Sequence, residues 1–291
     1  MSDEPRTTLS LPVAPDVRMP GAAIHAPGPD APIGVFDSGI GGLTVARELM
    51  HQLPGESILY VGDTARVPYG PKSPETVRRY SREIGAFLCE QGVKAVVIAC
   101  NTATAHALDT LRAALPVPVI GVVEPGAHAA VAASRSRHIG VIGTAGTINS
   151  FAYERAIRAM APDAVITSRA CPLFVPLVEE GWIDHEVTRL VARDYLQPLA
   201  NAGVDTLVLG CTHYPLLKDI VGGMMPHVRL IDSAEQTARE VRQLLSERGL
   251  LSDASAPTHR FYATDAPGQM LRLGRRFLGD AIERVETLAI G

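Results

Sequence analysis

From Ile33 onward, short runs of β-forming residues alternate with longer helical stretches, and that rhythm restricts the chain to an α/β fold built on mostly parallel sheet flanked by helices. The runs are Ile33–Phe36, Ser57–Val61, Ala95–Ala99, Val119–Val122, Ile139–Ile142, Val165–Ser168, Thr206–Leu209 and Arg229–Ile231. Between them, segments such as Thr44–Gln52, Pro74–Gln91 and His185–Ala202 carry helix formers with apolar residues three and four apart, as crossover helices require. At 291 residues and 46% hydrophobic content, the chain can bury one large core or two medium ones.

An internal repeat decides between these. Ile33-Gly34-Val35 followed by Asp37-Ser38-Gly39 recurs as Ile139-Gly140-Val141 followed by Gly143-Thr144-Ala145-Gly146. Val96-Val97-Ile98-Ala99-Cys100-Asn101-Thr102 likewise has its counterpart in Leu207-Val208-Leu209-Gly210-Cys211-Thr212-His213. The reading is two pseudo-symmetric α/β lobes, 33–123 plus 234–291 and 124–233, after a disordered, proline-rich tail over 1–32. Ligands of open parallel sheets bind beyond the carboxyl ends of the strands, so Asp37, Cys100, Thr144 and Cys211 should converge on a cleft between the lobes.

Several partner classes drop out. A formal net charge of −4 with no Lys/Arg run gives no electrostatic footprint for nucleic acid. Apolar stretches such as Ala95–Ala99 are strand-sized and far short of the roughly 20 residues of a membrane span. The first 32 residues lack the pattern of a secretory signal. The four cysteines, Cys89, Cys100, Cys171 and Cys211, are widely spaced without CxxC pairing, which implies free thiols in the cytoplasm, no disulfide framework and no metal site.

Cys100 and Cys211 each follow an apolar strand and precede a helical stretch, and a helix N-terminus there favours thiolate. A lone cysteine at a strand end is more often inert core. Two at equivalent turns of a repeat, each followed by polar residues that an apolar core would have to satisfy, point to a pair of acid/base groups. Cys89 and Cys171 lack that context and read as packing. Asp37 precedes the glycine turn Ser38-Gly39-Ile40-Gly41-Gly42; the glycines do not make G-x-G-x-x-G, and a carboxylate would repel a pyrophosphate, so a dinucleotide fits poorly. A zwitterion whose ammonium meets Asp37 fits better, and a simple capping role remains open. His213 is placed to reach a thiol or a ligand, or equally to cap a helix at the surface. Glu179 and Glu180 fall in a stretch that should start a helix, and the unaided sequence assigns them no role.

The chain resembles the cofactor-independent aspartate/glutamate racemase family, and within it the glutamate racemases, from Ile33 to its C-terminus. The segments that carry the resemblance are Asp37-Ser38-Gly39-Ile40-Gly41-Gly42, Gly62-Asp63 with Pro68-Tyr69-Gly70, Ala99-Cys100-Asn101-Thr102-Ala103, Phe174-Val175-Pro176-Leu177-Val178-Glu179 and Leu209-Gly210-Cys211-Thr212-His213-Tyr214-Pro215. The resemblance implies cofactor-free interconversion of L- and D-glutamate for peptidoglycan, with Cys100 and Cys211 as the bases, Asp37 and His213 as their partners, and Glu179 as an additional acid. It further implies substrate contacts from Asp37, Ser38, Tyr69, Gly70, Asn101, Thr102, Thr212 and His213, and a carboxylate site at Thr144 and Thr147. Related aspartate racemases tend to carry Glu where His213 stands, which favours glutamate as the small-molecule substrate.

Two rivals stand beside this reading. Pyridoxal phosphate needs a Schiff-base lysine, and the candidates are Lys72, Lys94 and Lys218; Lys94 precedes a buried strand and the other two lack a phosphate cradle. A non-catalytic two-lobe binding protein for amino acids would use the same cleft, but gains nothing from paired thiols. A homodimer is neither required nor excluded by the sequence.

Overall fold

A computed structural model describes residues 27–290, so residues 1–26 of the expected tail lie outside the described residues. Four parallel strands, β1 (Ile33–Asp37), β2 (Ile58–Gly62), β3 (Ala95–Ile98) and β4 (Val119–Gly121), begin the first sheet. Four more, β5 (His138–Gly143), β6 (Val165–Ala170), β7 (Thr206–Gly210) and β8 (Arg229–Ile231), make the whole of the second. The orders are β2-β1-β3-β4 and β6-β5-β7-β8, so the repeat seen in the sequence is a repeat of topology. In each half the glycine-bearing strand is central and the strand leading to a cysteine is its direct neighbour: Ile33 pairs with Ala95, and Ile139 with Thr206. The fold is α/β with two related lobes, each a parallel sheet between helices.

The chain then returns to the first sheet with two strands that the sequence pattern did not reveal. β9 (His259–Ala263) adds to β2 in parallel, and β10 (Glu286–Thr287) adds to β9. The first sheet thereby reaches six strands. β9 begins with His259 and Arg260, and only Phe261, Tyr262 and Ala263 are buried, which leaves too short an apolar run to register as a strand.

The helices are α1 (Leu43–Gln52), α2 (Pro74–Glu90), α3 (Asn101–Ala114), α4 (Val123–Ala133), α5 (Ala145–Asn149), α6 (Ala152–Met160), α7 (Phe174–Glu179), α8 (Glu186–Asn201), α9 (Lys218–Met224), α10 (Ser233–Glu247) and α11 (Pro267–Leu278). Their starts follow local chemistry. Ser73 Oγ accepts the Thr76 N–H at 3.3 Å and Pro74 takes the first helical position of α2, while Asp232 caps α10 through the Ala234 N–H at 3.0 Å. Side chains of the buried strands alternate between two cores. Val35 faces a cluster with α1, α10 and α11, whereas Phe36 faces one with α2 and α3. In the second sheet Val141 packs against α4 and α6, and Ile142 against α7, α8 and α9. Helices on both faces explain why these strands read as continuous apolar runs.

Lys94 is fully buried and meets Glu56 at 2.5 Å, with its ammonium also donating to the carbonyls of Leu250, at 2.8 Å, and Pro29. That leaves it no freedom to serve as a Schiff-base lysine. Among the described residues, no helix is long and apolar enough to cross a membrane.

Candidate active site

The carboxyl ends of β1, β3, β5 and β7 meet, and the turns that follow them line one pocket with Ser38, Cys100, Asn101, Thr102, Thr144, Cys211, Thr212 and His213, to which the loop after β2 adds Tyr69 and Gly70. Val67, Pro68 and Val175 complete it with apolar surface that the sequence reading missed. The free space is about 20 Å³, room for about one water molecule. That space is too small for an amino acid.

Cys100 ends the loop after β3 and caps α3, its sulfur accepting the Ala103 N–H at 3.4 Å while the thiol donates to Ser38 Oγ at 3.7 Å. The helix N-terminus was expected to favour thiolate. Instead, burial followed by the charge of Asp37 pushes the Cys100 thiol up to about 12. The magnitudes explain the reversal. A helix end contributes roughly 0.3–1 kcal/mol, whereas complete desolvation moves an ionisable group by as much as about 3–5 pH units. Without ligand Cys100 is a thiol.

Unlike Cys100, Cys211 is not at an α-helix N-terminus; a turn and a 3₁₀ segment, Tyr214–Leu217, separate it from α9. Its partner is His213, whose Nδ1 lies 3.8 Å from the sulfur. His213 is buried, which excludes the surface-capping alternative. Its Nε2 meets Glu179 Oε1 at 3.2 Å. Burial opposes a charged imidazole here, but Cys211 on one side and Glu179 on the other outweigh it and hold the proton on His213, up to about 10. Glu179 is the last residue of α7 rather than part of a helix start, and its side chain is one-third exposed, so it links the buried dyad to solvent.

Asp37, Glu179 and Thr147 sit one layer behind the pocket wall. Asp37 is fully buried; its Oδ2 accepts the Gly39 N–H at 2.9 Å and its Oδ1 accepts the Thr212 hydroxyl at 3.4 Å. It is not the cap of α1, which is Gly42. Burial pushes its carboxyl up, with the charge of His213 pulling the other way. Thr147 bonds Thr102 at 3.2 Å and Thr144 at 3.0 Å, while Thr102 and Thr144 meet at 2.8 Å. Of that trio Thr102 and Thr144 face the pocket.

Glycines let the halves approach this closely. The Gly146 N–H donates to Gly70 O at 2.9 Å, and a Cβ at Gly146 would lie 2.8 Å from that same oxygen. The loop carrying Tyr69 and Gly70 is itself anchored by Asp63, which accepts hydrogen bonds from Tyr69 Oη, from Arg66 Nε at 2.7 Å and from Thr264 Oγ1 at 2.9 Å. Burial and the Asp63 charge keep the Tyr69 hydroxyl protonated.

Two buried thiols line one pocket, one near a buried carboxyl and the other beside an imidazole, and thiols so placed have the chemistry to donate and accept protons. The wall holds no lysine or arginine. A bound carboxylate there relies on amide, hydroxyl and backbone N–H donors.

Residues 33–241 match the Asp/Glu/Hydantoin racemase family. A glutamate racemase of Geobacter metallireducens is 54% identical over 260 residues, spanning 89% of this chain and 96% of its own. Among solved structures, a glutamate racemase isoform from Bacillus anthracis superposes with a TM-score of 0.85 at 42% identity, covering 90% of this chain and 97% of that one. The glutamate racemase of Francisella tularensis, solved in complex with D-glutamate, gives the same TM-score at 40% identity, with 90% and 98% covered.

Proposed function

Because the chain belongs to the Asp/Glu/Hydantoin racemase family, we propose that it interconverts L- and D-glutamate by proton transfer between Cys100, Cys211 and the substrate α-carbon. The observation that carries this reading is the pair of cysteines at equivalent turns of a repeated fold, lining one pocket with different partners. A racemase must remove a proton from one face of a carbon and deliver one to the other, which two opposed groups do without turning the substrate over.

We assign proton removal from one enantiomer to Cys211, beside the protonated His213, and proton delivery to the Cys100 thiol. For one enantiomer the Cys211 thiolate takes the Cα proton and becomes a thiol, while the Cys100 S–H bond breaks to reprotonate the carbanion from the opposite face. The other enantiomer is served after the proton has shifted between the two sulfurs' sides, and the substrate's ammonium assists that step. Burial and, after it, the charge of Asp37 keep this thiol protonated, and a cation placed near Cys100 offsets the second. Asp37 thus acts on Cys100 from behind the wall, and Glu179 steadies His213. Asn101, Thr102, Thr144 and Thr212, together with Ser38, Tyr69 and Gly70, surround the substrate and stabilise charge developing on its carboxylate in a site that excludes water. Thr147 holds the two threonines of that wall.

This chemistry draws on thiols and fixed dipoles and calls for no cofactor. The lobes we infer, 33–123 plus 234–291 and 124–233, part to admit glutamate and close for proton transfer. Four buried free cysteines suit a reducing cytoplasm, where the D-glutamate formed supplies peptidoglycan synthesis. Glutamate is favoured over aspartate because His213, rather than an acid, stands beside Cys211. The test is to follow enantiomer formation by the purified protein on L-glutamate and L-aspartate. Glutamate should be turned over about 10²-fold more efficiently, the discrimination available from one methylene. Inactivity on both substrates, or a preference for aspartate, overturns the reading.

A further inference from the structure

Asn101 carries a polar atom that the fold buries and leaves without a partner. Its Nδ2 has no hydrogen bond, although the residue is 3% exposed and lies in the pocket wall next to Cys100. Buried polar groups in native folds are almost always paired. An orphan N–H₂ at a pocket wall marks a donor whose acceptor arrives with the ligand.

The other end of the same amide is fixed from across the cleft. Tyr153 Oη donates to Asn101 Oδ1 at 2.7 Å. With its carbonyl oxygen engaged, the amide has only its N–H₂ to offer the pocket. Tyr153 is fully buried in α6, and its ring lies against Gly210, the residue before Cys211, where an added Cβ would be 3.1 Å from Cε2. The same hydroxyl lies close to Gly126, as does Ser233 at the start of α10, where a Cβ added at Gly126 would be 3.1 Å from Tyr153 Oη and 3.2 Å from Ser233 Cβ. One side chain therefore touches the Cys211 turn with its ring and the Cys100 turn with its hydroxyl.

We propose that Tyr153 is a positioning residue of this site: it holds the Asn101 amide with its N–H₂ toward the pocket, to receive a carboxylate oxygen of an amino-acid substrate. The inference rests on reading the pocket as an amino-acid racemase site. Its force comes from the lack of any lysine or arginine in the wall, since an amide that rotates by half a turn presents its carbonyl oxygen to the carboxylate and repels it. A phenylalanine ring fills the same volume against Gly210 but lets the amide turn.

The experiment compares wild type, Tyr153→Phe, Asn101→Ala and the double variant, measuring glutamate racemisation and D-glutamate binding by calorimetry. Tyr153→Phe should raise both KM and Kd about tenfold, the worth of one charge-assisted hydrogen bond, while kcat changes by less than about threefold, as for a contact made equally in ground and transition states. In the double variant it should add nothing to Asn101→Ala, because the group it orients is gone. KM and Kd within about twofold of wild type, or effects that add in the double variant, overturn the assignment. Should Tyr153→Phe lose its native circular dichroism, the side-chain amide resonance of Asn101 in the wild type decides instead: a fixed N–H₂ that shifts when D-glutamate binds supports the proposal, and an amide that averages between orientations or does not respond to D-glutamate overturns it. Binding of D-glutamate without racemisation by the wild type would defeat the functional reading, yet the Kd series would still decide the role of Tyr153.

Discussion

Cys100→Ala and Cys211→Ala are each expected to lower kcat/KM for both enantiomers by about 10³-fold or more, within the range that a positioned acid or base contributes. Neither residue can stand in for the other, because each lies on its own strand end and serves its own face of the substrate. Loss of either removes one of the two proton transfers that every turnover needs. The fold should survive. Cys100→Ala removes a sulfur cap on α3, worth about 1 kcal/mol at most, and Cys211 lies at the edge of a core dominated by Phe174, Tyr214 and the leucines of α8. Cys171 and Cys89 supply the contrast. Both are buried among apolar side chains, so Cys171→Ala and Cys89→Ala should reduce thermal stability while leaving kcat/KM within about threefold of wild type, the spread of ordinary substitutions away from a site. Enantiomer-resolved kinetics with circular dichroism on all four variants checks this, and full activity in Cys100→Ala or Cys211→Ala removes that residue from the reaction.

Gly41→Ala should cost about 10²-fold in kcat/KM without touching either thiol, the penalty of displacing catalytic groups by about 1 Å. A Cβ at Gly41 would lie 2.4 Å from Thr212 Oγ1 and 2.7 Å from His213 Nδ1. Neither neighbour has room to yield. Thr212 is held to Asp37, and His213 is buried between Cys211 and Glu179. The added methyl therefore pushes the Cys211 turn off the glycine turn and opens the pocket. Because Gly41 lies in the contact between halves, the lobes' own cores should persist and the melting temperature should change little. Gly223→Ala is the matched control: nothing lies within 4 Å of its Cβ, it sits in α9, and alanine there should stabilise by roughly 0.5–1 kcal/mol with activity unchanged. Equal activity in Gly41→Ala and wild type contradicts the closed geometry as the working one.

The inner strands were legible in the sequence because both faces of each sheet are covered, which makes them largely apolar runs, whereas β6 and β8 at the edges of the second sheet carry polar residues and were legible through Val165-Ile166 and Leu230-Ile231. The repeat was legible for a related reason, since its glycines and cysteines occupy the same turns of the same four-strand order. β9 and β10 were not, because β9 opens with His259 and Arg260 and buries only three residues, while β10 is two residues long and polar. At the site, residues with chemistry of their own, from Ser38 to His213, stood out, whereas Val67, Pro68 and Val175 received no role, because apolar side chains at a pocket read like apolar core, even though Pro68 and Val175 fall within the matching segments. Whether a residue faces the pocket or stands behind it depends on how the halves meet, and so the retreat of Asp37, Glu179 and Thr147 was invisible. The same contact brings Tyr153, which reads as one more buried aromatic on α6, onto Asn101. The protonation of Cys100 was misjudged for want of burial depth, which outweighs the helix end that the sequence did reveal.

The separate roles of Cys100 and Cys211 are tested most directly by turning over L-glutamate in heavy water and analysing the α-hydrogen at low conversion. Two groups acting on opposite faces deliver to the product a hydrogen that came from solvent, through a thiol that exchanged before the turnover began. The proton lifted from the substrate stays on the other sulfur, where it has no access to the product face. Newly formed D-glutamate should therefore carry deuterium from the first turnover, while unreacted L-glutamate remains unlabelled, and the same pattern should hold in reverse from D-glutamate. D-glutamate that retains substantial substrate hydrogen at low conversion contradicts the account, since only a single group serving both faces returns what it removed.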